Sequence, residues 1–277
     1  MDRELCVFAG LTGGKYANML NVGGGSTVTN CVFRDGDCAY WAVNASGGDS
    51  SFVDCVFANI KGGGLSGGTV VDRCVFRQNS DYLWFNQLPR VVRNSLFDGN
   101  NLLVWLHSVG LASNKTGGFE NCTFVNGTAK HSLIDFSKST NSVVTFVNCA
   151  LHGDFKHAFI WSEGSGAGLV YTNCLVDAFE SKISDANKIG YTAHNCKVGV
   201  DPRFVDAANG DYRPQRKSPC VDAALPLDWM DAETSDLGRN PRVVTRGRPL
   251  AKNPSALPDI GCYECQDPPP GSMVIFR

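Results

Sequence analysis

A four-residue pattern that recurs along the first two hundred residues constrains the fold of this 277-residue chain more than any other feature. Asn30-Cys31-Val32-Phe33 shows the pattern in full, and Leu5-Cys6-Val7-Phe8 is a partial earlier copy. Steps of 25, 24, 19, 21, 27, 27, 25 and 22 residues separate the cysteine positions, one of which holds Ser95. These steps are too irregular for helical-pair repeats of fixed length. The later copies are Asp54–Phe57, Arg73–Phe76, Asn94–Phe97, Asn121–Phe124, Asn148–Leu151, Asn173–Val176 and Asn195–Val198.

Two positions of the repeat, one before the asparagine and one after the cysteine, are apolar in almost every copy. Aligned over the copies they form two apolar columns, which predict a strand. The residue after each cysteine varies through Val, Leu, Thr, Ala and Lys, as an outward position of a strand should. The asparagine breaks the alternation between the two columns and indicates a bend where side-chain amides stack from coil to coil. Each repeat is therefore one coil of a β-solenoid. The inward columns are Val28, Phe52, Val71, Val92, Phe119, Phe146, Tyr171 and Ala193, and Phe33, Phe57, Phe76, Phe97, Phe124, Leu151, Val176 and Val198.

This pattern over residues 1–199 resembles the right-handed, single-stranded parallel β-helix of the pectate-lyase-like superfamily. The resemblance implies an all-β solenoid of about nine coils. The repeated pattern is also similar to the repeats of bacterial surface and autotransporter passenger proteins. Such solenoids serve lyases, hydrolases, adhesins and tailspikes, so the fold alone does not decide the function.

The composition shifts to Pro, Asp and Arg after residue 199, and residues 200–265 carry a series of short motifs. Their order resembles the terminal module of secreted bacterial β-helix proteins, which implies a secreted or cell-surface location. We expect this segment to form an irregular cap over the exposed end of the solenoid. Residues 266–277 form a Pro-rich linker and a tail. The motifs are Asp201–Asp206, Asn209–Pro214, Ser218–Ala223, Asp236–Arg242 and Asp259–Glu264.

Eight of the twelve cysteines fall in one inward column and are predicted to form a ladder of free, buried thiols. Stacked neighbours have parallel Cβ directions that suit disulfides poorly, and a metal array would need thiolates in an apolar core. In the resembling module, small residues occupy the positions of Cys220 and Cys262, which implies contact between them, either as a disulfide or as free thiols. No metal site or cofactor is predicted, with calcium at the acidic turns of the module as the alternative.

The numbers of positive and negative residues bear on which class of partner the protein binds. Lys and Arg number 25 and Asp and Glu 27, which argues against a general nucleic-acid binder. No apolar run reaches the length of a membrane span. The first coil begins at Leu5 with little before it, so we expect either a preceding N-terminal segment or self-association to cover this end.

A second strand after each repeat is predicted to carry the functional face. Aligning Leu83–Asn86, Val104–His107 and Ile160–Glu163 places three tryptophans on the outward side. Exposed aromatic rings beside polar groups suit sugar rings, so this face is predicted to bind a polysaccharide; packing under inserted loops is the alternative. The predicted binding residues are Trp84, Trp105, Trp161 and Asn86, joined by the cationic pairs Lys130, His131, Lys156 and His157 on consecutive coils.

Three residues are candidates for acid–base chemistry on this face: Asp135, Glu163 and His107. The two acids are expected one coil apart, near the spacing of a retaining carboxylate pair. The aspartate clusters of pectate lyases and the adjacent-Asp motif of polygalacturonases are not found, so no catalytic residue is carried over. The sequence leaves open whether the protein is an enzyme. It predicts either a polysaccharide-binding protein, of lyase or glycoside hydrolase type if catalytic, or a non-catalytic structural or adhesive surface protein.

Overall fold

The chain folds into a parallel β-solenoid with almost no helix. The computed structural model describes residues 6–12, 18–45, 49–67, 70–85, 89–105, 116–127, 134–135, 141–153, 159–160, 168–177, 190–231, 233–242 and 257–265. Three parallel sheets form the sides of the solenoid. No helix within these ranges has the length and hydrophobicity of a membrane span.

The first sheet contains the cysteine repeat, and its strands stack in chain order. They are β1 (Cys6–Ala9), β4 (Cys31–Ala45), β6 (Val56–Ser66), β8 (Val75–Arg77), β11 (Leu96–Asp98), β14 (Thr123–Val125), β17 (Ala150–His152), β20 (Leu175–Val176) and β22 (Lys197–Val198), with β2 (Leu20–Val22) beside the later part of β4.

The second sheet precedes the asparagine bend of each coil and the third follows the first. The second consists of β3 (Thr27–Thr29), β5 (Ser51–Val53), β7 (Val70–Asp72), β10 (Val91–Arg93), β13 (Thr116–Glu120), β16 (Val143–Val147), β19 (Gly168–Thr172) and β21 (Gly190–His194). The third consists of β9 (Tyr82–Phe85), β12 (Leu102–Trp105), β15 (Ile134–Asp135) and β18 (Phe159–Ile160). In the earlier coils β2 and the later parts of β4 and β6 pair with one another instead, so among the described residues the coils with three separate strands number fewer than the expected nine.

The two apolar columns fill the core, as predicted. Phe57, Phe76 and Phe97 are buried and stack nearly parallel, with ring centroids 4.9 Å apart at each step. The second column stacks in the same way, and Phe119 lies 5.1 Å from Phe146. In-register pairing of neighbouring coils produces this stacking, because identical side chains then occupy equivalent positions one strand spacing apart.

Left-handed backbone conformations turn the chain between the first two sheets. All eight residues of the asparagine column have φ between 48° and 57°, and asparagine tolerates this region better than most residues. The predicted amide stacking occurs where Asn173 donates to Asn148 at 2.9 Å and Asn148 to Asn121 at 3.2 Å. A second left-handed bend, which we did not predict, follows the first sheet at positions such as Asn59, Gln78 and Gly99.

The predicted thiol ladder is present. All twelve cysteines are free, and six of the eight ladder members are buried, whereas Cys6 and Cys196 at its two ends are exposed or partly exposed. The Cys149 thiol donates to the carbonyls of Phe119 and Val147, both at 3.3 Å. Burial raises the pKa of Cys149 well above its ordinary value, so this thiol stays protonated.

Residues 200–265 are predicted to cap the end of the solenoid. The described ones lie along the flank formed by the asparagine bends, and we call residues 203–231, 233–242 and 257–265 the brace. Arg239 reaches Asn30 at 3.2 Å, while Lys197 donates to the Pro219 carbonyl at 2.5 Å. The bends expose amides and carbonyls along the whole flank, and the brace satisfies several of them, including the side chain of Asn148 through the Leu225 carbonyl.

Apolar contacts also hold the brace to the solenoid. Leu175 and Ala150, in the variable column after the cysteine, are buried because the brace covers them. Cys220 packs in this apolar cluster, whereas Cys262 packs in a second one with Leu96. The two cysteines are thus free thiols in separate clusters and form no disulfide.

A buried ionic network organises the brace. Arg242 and Glu264 form an ion pair of 2.8 Å with side-chain exposures of 0% and 2%. Asp259 accepts hydrogen bonds from the backbone N–H groups of Asp222 and Cys265, each at 2.7 Å. Asp259 and Glu264, the acids of the last module motif, therefore serve here as members of a structural network.

Glu264 makes the stability of the protein depend on pH. Burial raises its pKa from 4.5 to about 8, although the Arg242 guanidinium acts in the opposite direction. Because the folded carboxyl binds its proton more tightly than the unfolded one, we expect the free energy of unfolding to fall as pH rises from about 4.5 to 8. Urea titrations across this window should show the decline. Glu264→Gln should flatten it, and an unchanged slope in that variant would contradict this assignment.

Candidate functional site

The third sheet, where the functional face was predicted, differs from the expected register by one residue. Trp84 pairs with Val104 instead of Trp105. Its side chain is fully buried, and its ring lies 5.4 Å from that of Phe76 and 6.3 Å from that of Phe119. The prediction that Trp84 faces solvent and contacts sugar is therefore wrong, because the strand alternates one residue out of step with the alignment.

For one part of the predicted face, the structure describes how the strands pair. Trp105 pairs with Asp135, as the alignment predicted. Val104 and Ile134, one residue earlier, are buried. The other predicted site residues lie outside the described part of the chain: Asn86, His107, Lys130, His131, Lys156, His157, Trp161 and Glu163.

A histidine–aspartate pair that the sequence analysis missed occupies the edge of the first sheet. His152 ends β17, and Asp177 follows β20 at the equivalent position one coil later. The His152 Nδ1 lies 2.6 Å from one Asp177 carboxylate oxygen, and the other oxygen accepts the Gly153 N–H at 2.6 Å. This pairing fixes the carboxylate. With the ring donating from Nδ1, its Nε2 is left as an acceptor.

The pair is accessible to a ligand. The side chains of His152 and Asp177 are 37% and 35% exposed. Leu151 precedes His152 and faces the core, so the imidazole lies on the outward face. The partly buried ring of Phe204, from the brace, lies edge-on to the imidazole at 6.0 Å. The imidazole of His152, the carboxylate of Asp177 and the ring edge of Phe204 thus lie side by side on the surface.

The same outward column continues towards the earlier coils. Asp98 forms an ion pair with Arg77 at 3.1 Å and accepts a hydrogen bond from Asn126 at 2.9 Å. Asn126 also donates to the Tyr212 hydroxyl at 2.7 Å, and burial, followed by the nearby Asp98 charge, raises the pKa of this tyrosine to about 12. The column extends over four strand spacings from Arg77 to Asp177, about 19 Å. In the middle of this column Asp98 and Val125 are buried, and Tyr212 of the brace packs in the same cluster as Val125.

A second group of charged residues, on the second sheet, is covered by the brace. The Arg93 guanidinium lies 4.8 Å from the centre of the Trp229 ring and 3.5 Å from an Asp72 carboxylate oxygen. Burial raises the pKa of Glu120, while Trp229 and Arg93 act in the opposite direction. Because these groups contact one another and the brace, we interpret them as an attachment point of the brace.

A repeat alignment extended by one residue would have located the missed pair. The residue after each inward phenylalanine position is outward, and in five successive coils it is Arg77, Asp98, Val125, His152 and Asp177. Four of these five residues are ionisable, in a chain in which Asp, Glu, Lys and Arg make up only 19% of the residues.

No family model matches the chain, and neither does any curated protein. In the described ranges no group of three or more His, Cys, Asp or Glu side chains is placed to hold a metal ion.

Proposed function

We propose that the protein is a secreted or cell-surface β-solenoid that binds a polysaccharide along the outer edge of its first sheet. The observation that carries this proposal is the exposed His152–Asp177 pair beside Phe204. Sugar hydroxyls both donate and accept hydrogen bonds, so an imidazole acceptor and a carboxylate suit them, and the ring edge offers an apolar contact.

The ligand meets the column at the coils of His152 and Asp177, because the brace covers Val125 in the coil before them. The third sheet begins a few residues beyond Asp98, and we propose the face with positions 105 and 135 as a second contact surface around that corner. If the protein cleaves its ligand, in a lyase or glycoside hydrolase reaction, His152 Nε2 is the proposed proton acceptor and Asp177 positions it.

The second candidate function is that of a structural or adhesive surface protein without catalysis. This candidate is supported by three described features that serve stability alone. They are the phenylalanine stack, the thiol ladder and the brace. Trp84 also contributes to the core and not to a sugar-binding face.

His152→Gln tests the binding proposal directly. We expect the affinity for the bound polysaccharide to fall by up to about tenfold, because one hydrogen bond to a neutral partner contributes roughly 0.5–1.5 kcal/mol. Binding would be screened on a panel of plant, algal and host polysaccharides. Unsaturated-product absorbance and reducing ends would be followed together to detect turnover.

His194→Gln is the matched control, since this histidine is also exposed but lies on the second sheet. It should leave the affinity unchanged. Equal affinities for the two variants and the unmodified protein would remove His152 from the site. Failure of the unmodified protein to bind any member of the panel would favour the structural or adhesive function.

A further inference from the structure

The last two thiols of the ladder lie where the inner column approaches solvent. Cys196 is partly exposed, whereas Cys174, one coil earlier, is fully buried. Val198, which follows Cys196 in the same strand and faces the same way, is 50% exposed. A small ligand can therefore reach the Cys196 sulfur from solvent, and the Cys174 sulfur lies directly behind it.

These two sulfurs have the same orientation. The Cys174 thiol donates to the Thr172 carbonyl at 3.4 Å, and the Cys196 thiol donates to the His194 carbonyl at 3.5 Å, in each case two residues earlier in the chain. The two coils are in register, because the Lys197 N–H donates to the Cys174 carbonyl at 2.8 Å. Side chains that share an orientation on neighbouring strands are separated by one strand spacing, about 4.8 Å.

This spacing is too long for a disulfide but suits a metal ion between the sulfurs. A disulfide bond is only about 2.05 Å long. An ion midway between the two sulfurs would lie about 2.4 Å from each, close to the zinc–thiolate bond length of about 2.3 Å. Two sulfur ligands are enough for Cu(I), which prefers soft thiolates, whereas structural Zn(II) takes four ligands. The pair therefore fits a soft monovalent cation.

We propose that Cys174 and Cys196 bind one soft monovalent cation, of which Cu(I) is the probe, between their sulfurs. Each thiol releases its proton to solvent as its sulfur bonds to the ion, so the complex carries one negative charge and consumes no oxidant or reductant. Deeper pairs such as Cys122 and Cys149 are fully buried, and this charge would there lie entirely within the apolar core. The binding site needs only two side chains, fewer than the groups of three that are absent from the described ranges.

This site is separate from the proposed polysaccharide site. Cys174 and Cys196 belong to the inner column, whereas His152 lies on the outward face of the same sheet. Cation binding is therefore expected whether or not the protein binds a polysaccharide.

Serine is a suitable replacement for a ladder cysteine, because one coil already contains it. Ser95 occupies the cysteine position, is fully buried, and donates to the Arg93 carbonyl at 2.8 Å, two residues earlier. A Cys→Ser change thus keeps the hydrogen bond of the column and removes the soft ligand.

Cys174→Ser and Cys196→Ser should each lower the number of tightly bound Cu(I) ions by one, because both sulfurs are needed. The number would be measured on the full chain, without oxygen, by competition with a chromophoric Cu(I) chelator. Cys149→Ser is the matched control, since it changes the same column one coil deeper, and it should leave the number unchanged. X-ray absorption of the Cu(I)-loaded protein should show two sulfur neighbours, and Zn(II) should not be retained.

Three outcomes would overturn the proposal. The first is an equal number of bound Cu(I) ions in Cys196→Ser and the unmodified protein. The second is a loss in Cys196→Ser but not in Cys174→Ser, which would indicate an adventitious ion only, held by one exposed thiol. The third is an equal loss in Cys149→Ser, which would replace the pair by a larger group of thiols.

Discussion

Arg242→Met is expected to lower the free energy of unfolding by about 3–5 kcal/mol when measured at pH 9. The arginine side chain is fully buried, and its guanidinium forms an ion pair with the carboxylate of Glu264, which is 2% exposed. Removing the cation leaves an ionised carboxylate in the brace without its ion-pair partner, and Asp259, also fully buried, adds a like charge nearby. We choose pH 9 because it lies above the raised pKa of Glu264, so the carboxylate is charged.

Two variants show whether burial of the charge causes this loss. Arg239→Met makes the same substitution three residues earlier, where the side chain is 46% exposed and paired with Asp54 at 3.3 Å, and should cost no more than about 1 kcal/mol. Arg242→Met combined with Glu264→Gln removes both charges and should recover part of the stability. Urea unfolding measures all three. A loss in Arg242→Met as small as that in Arg239→Met would show that the network contributes little.

Trp84→Ala should lower the free energy of unfolding by about 3–5 kcal/mol, the usual cost of deleting a buried aromatic side chain. Among the described residues Trp84 is the largest fully buried side chain, and its ring lies next to both phenylalanine columns, with centroids 6.4 Å from Phe97 and 6.3 Å from Phe119. Its loss would leave a cavity between stacks that cannot collapse without breaking their register.

Trp84→Phe keeps an aromatic ring and should cost much less than Trp84→Ala. Polysaccharide affinity, if present, should be the same in both variants, because a buried ring does not contact the ligand. Thermal and urea unfolding would be compared with the binding assay. A Trp84→Ala variant that keeps its stability but loses affinity would restore the original interpretation of this residue as part of a sugar-binding face.

The solenoid could be predicted from the sequence because the same residue pattern occurs in every coil. The phenylalanine and cysteine columns recur at every coil, so an error at one copy is corrected by the others. The third sheet offers no such redundancy. Its strands follow bends of different length, and tryptophan occurs once at the inward position and once directly after it, so an alignment by residue type placed Trp84 beside Trp105 although the chain pairs it with Val104.

The brace was recognisable as a unit, but its location was not. An end cap and a lateral segment require similar turn residues, and the motifs alone do not distinguish them. The variable column after the cysteine held the missing signal: Leu96, Ala150 and Leu175 are more apolar than solvent-facing residues need to be, and the brace covers all three. The His152–Asp177 pair was missed because its members are 25 residues apart and belong to no local motif.

The route of the brace along the flank has a consequence for the order in which the chain folds. Stacked coils can form one after another, each on the previous one, because they contact only their neighbours. The brace has no binding surface until the bends are stacked, and its contact between Arg239 and Asn30 closes a loop of 209 residues. Contacts of such sequence separation form slowly. Residues beyond 200 therefore join last, and the coils must persist on nearest-neighbour contacts until they do.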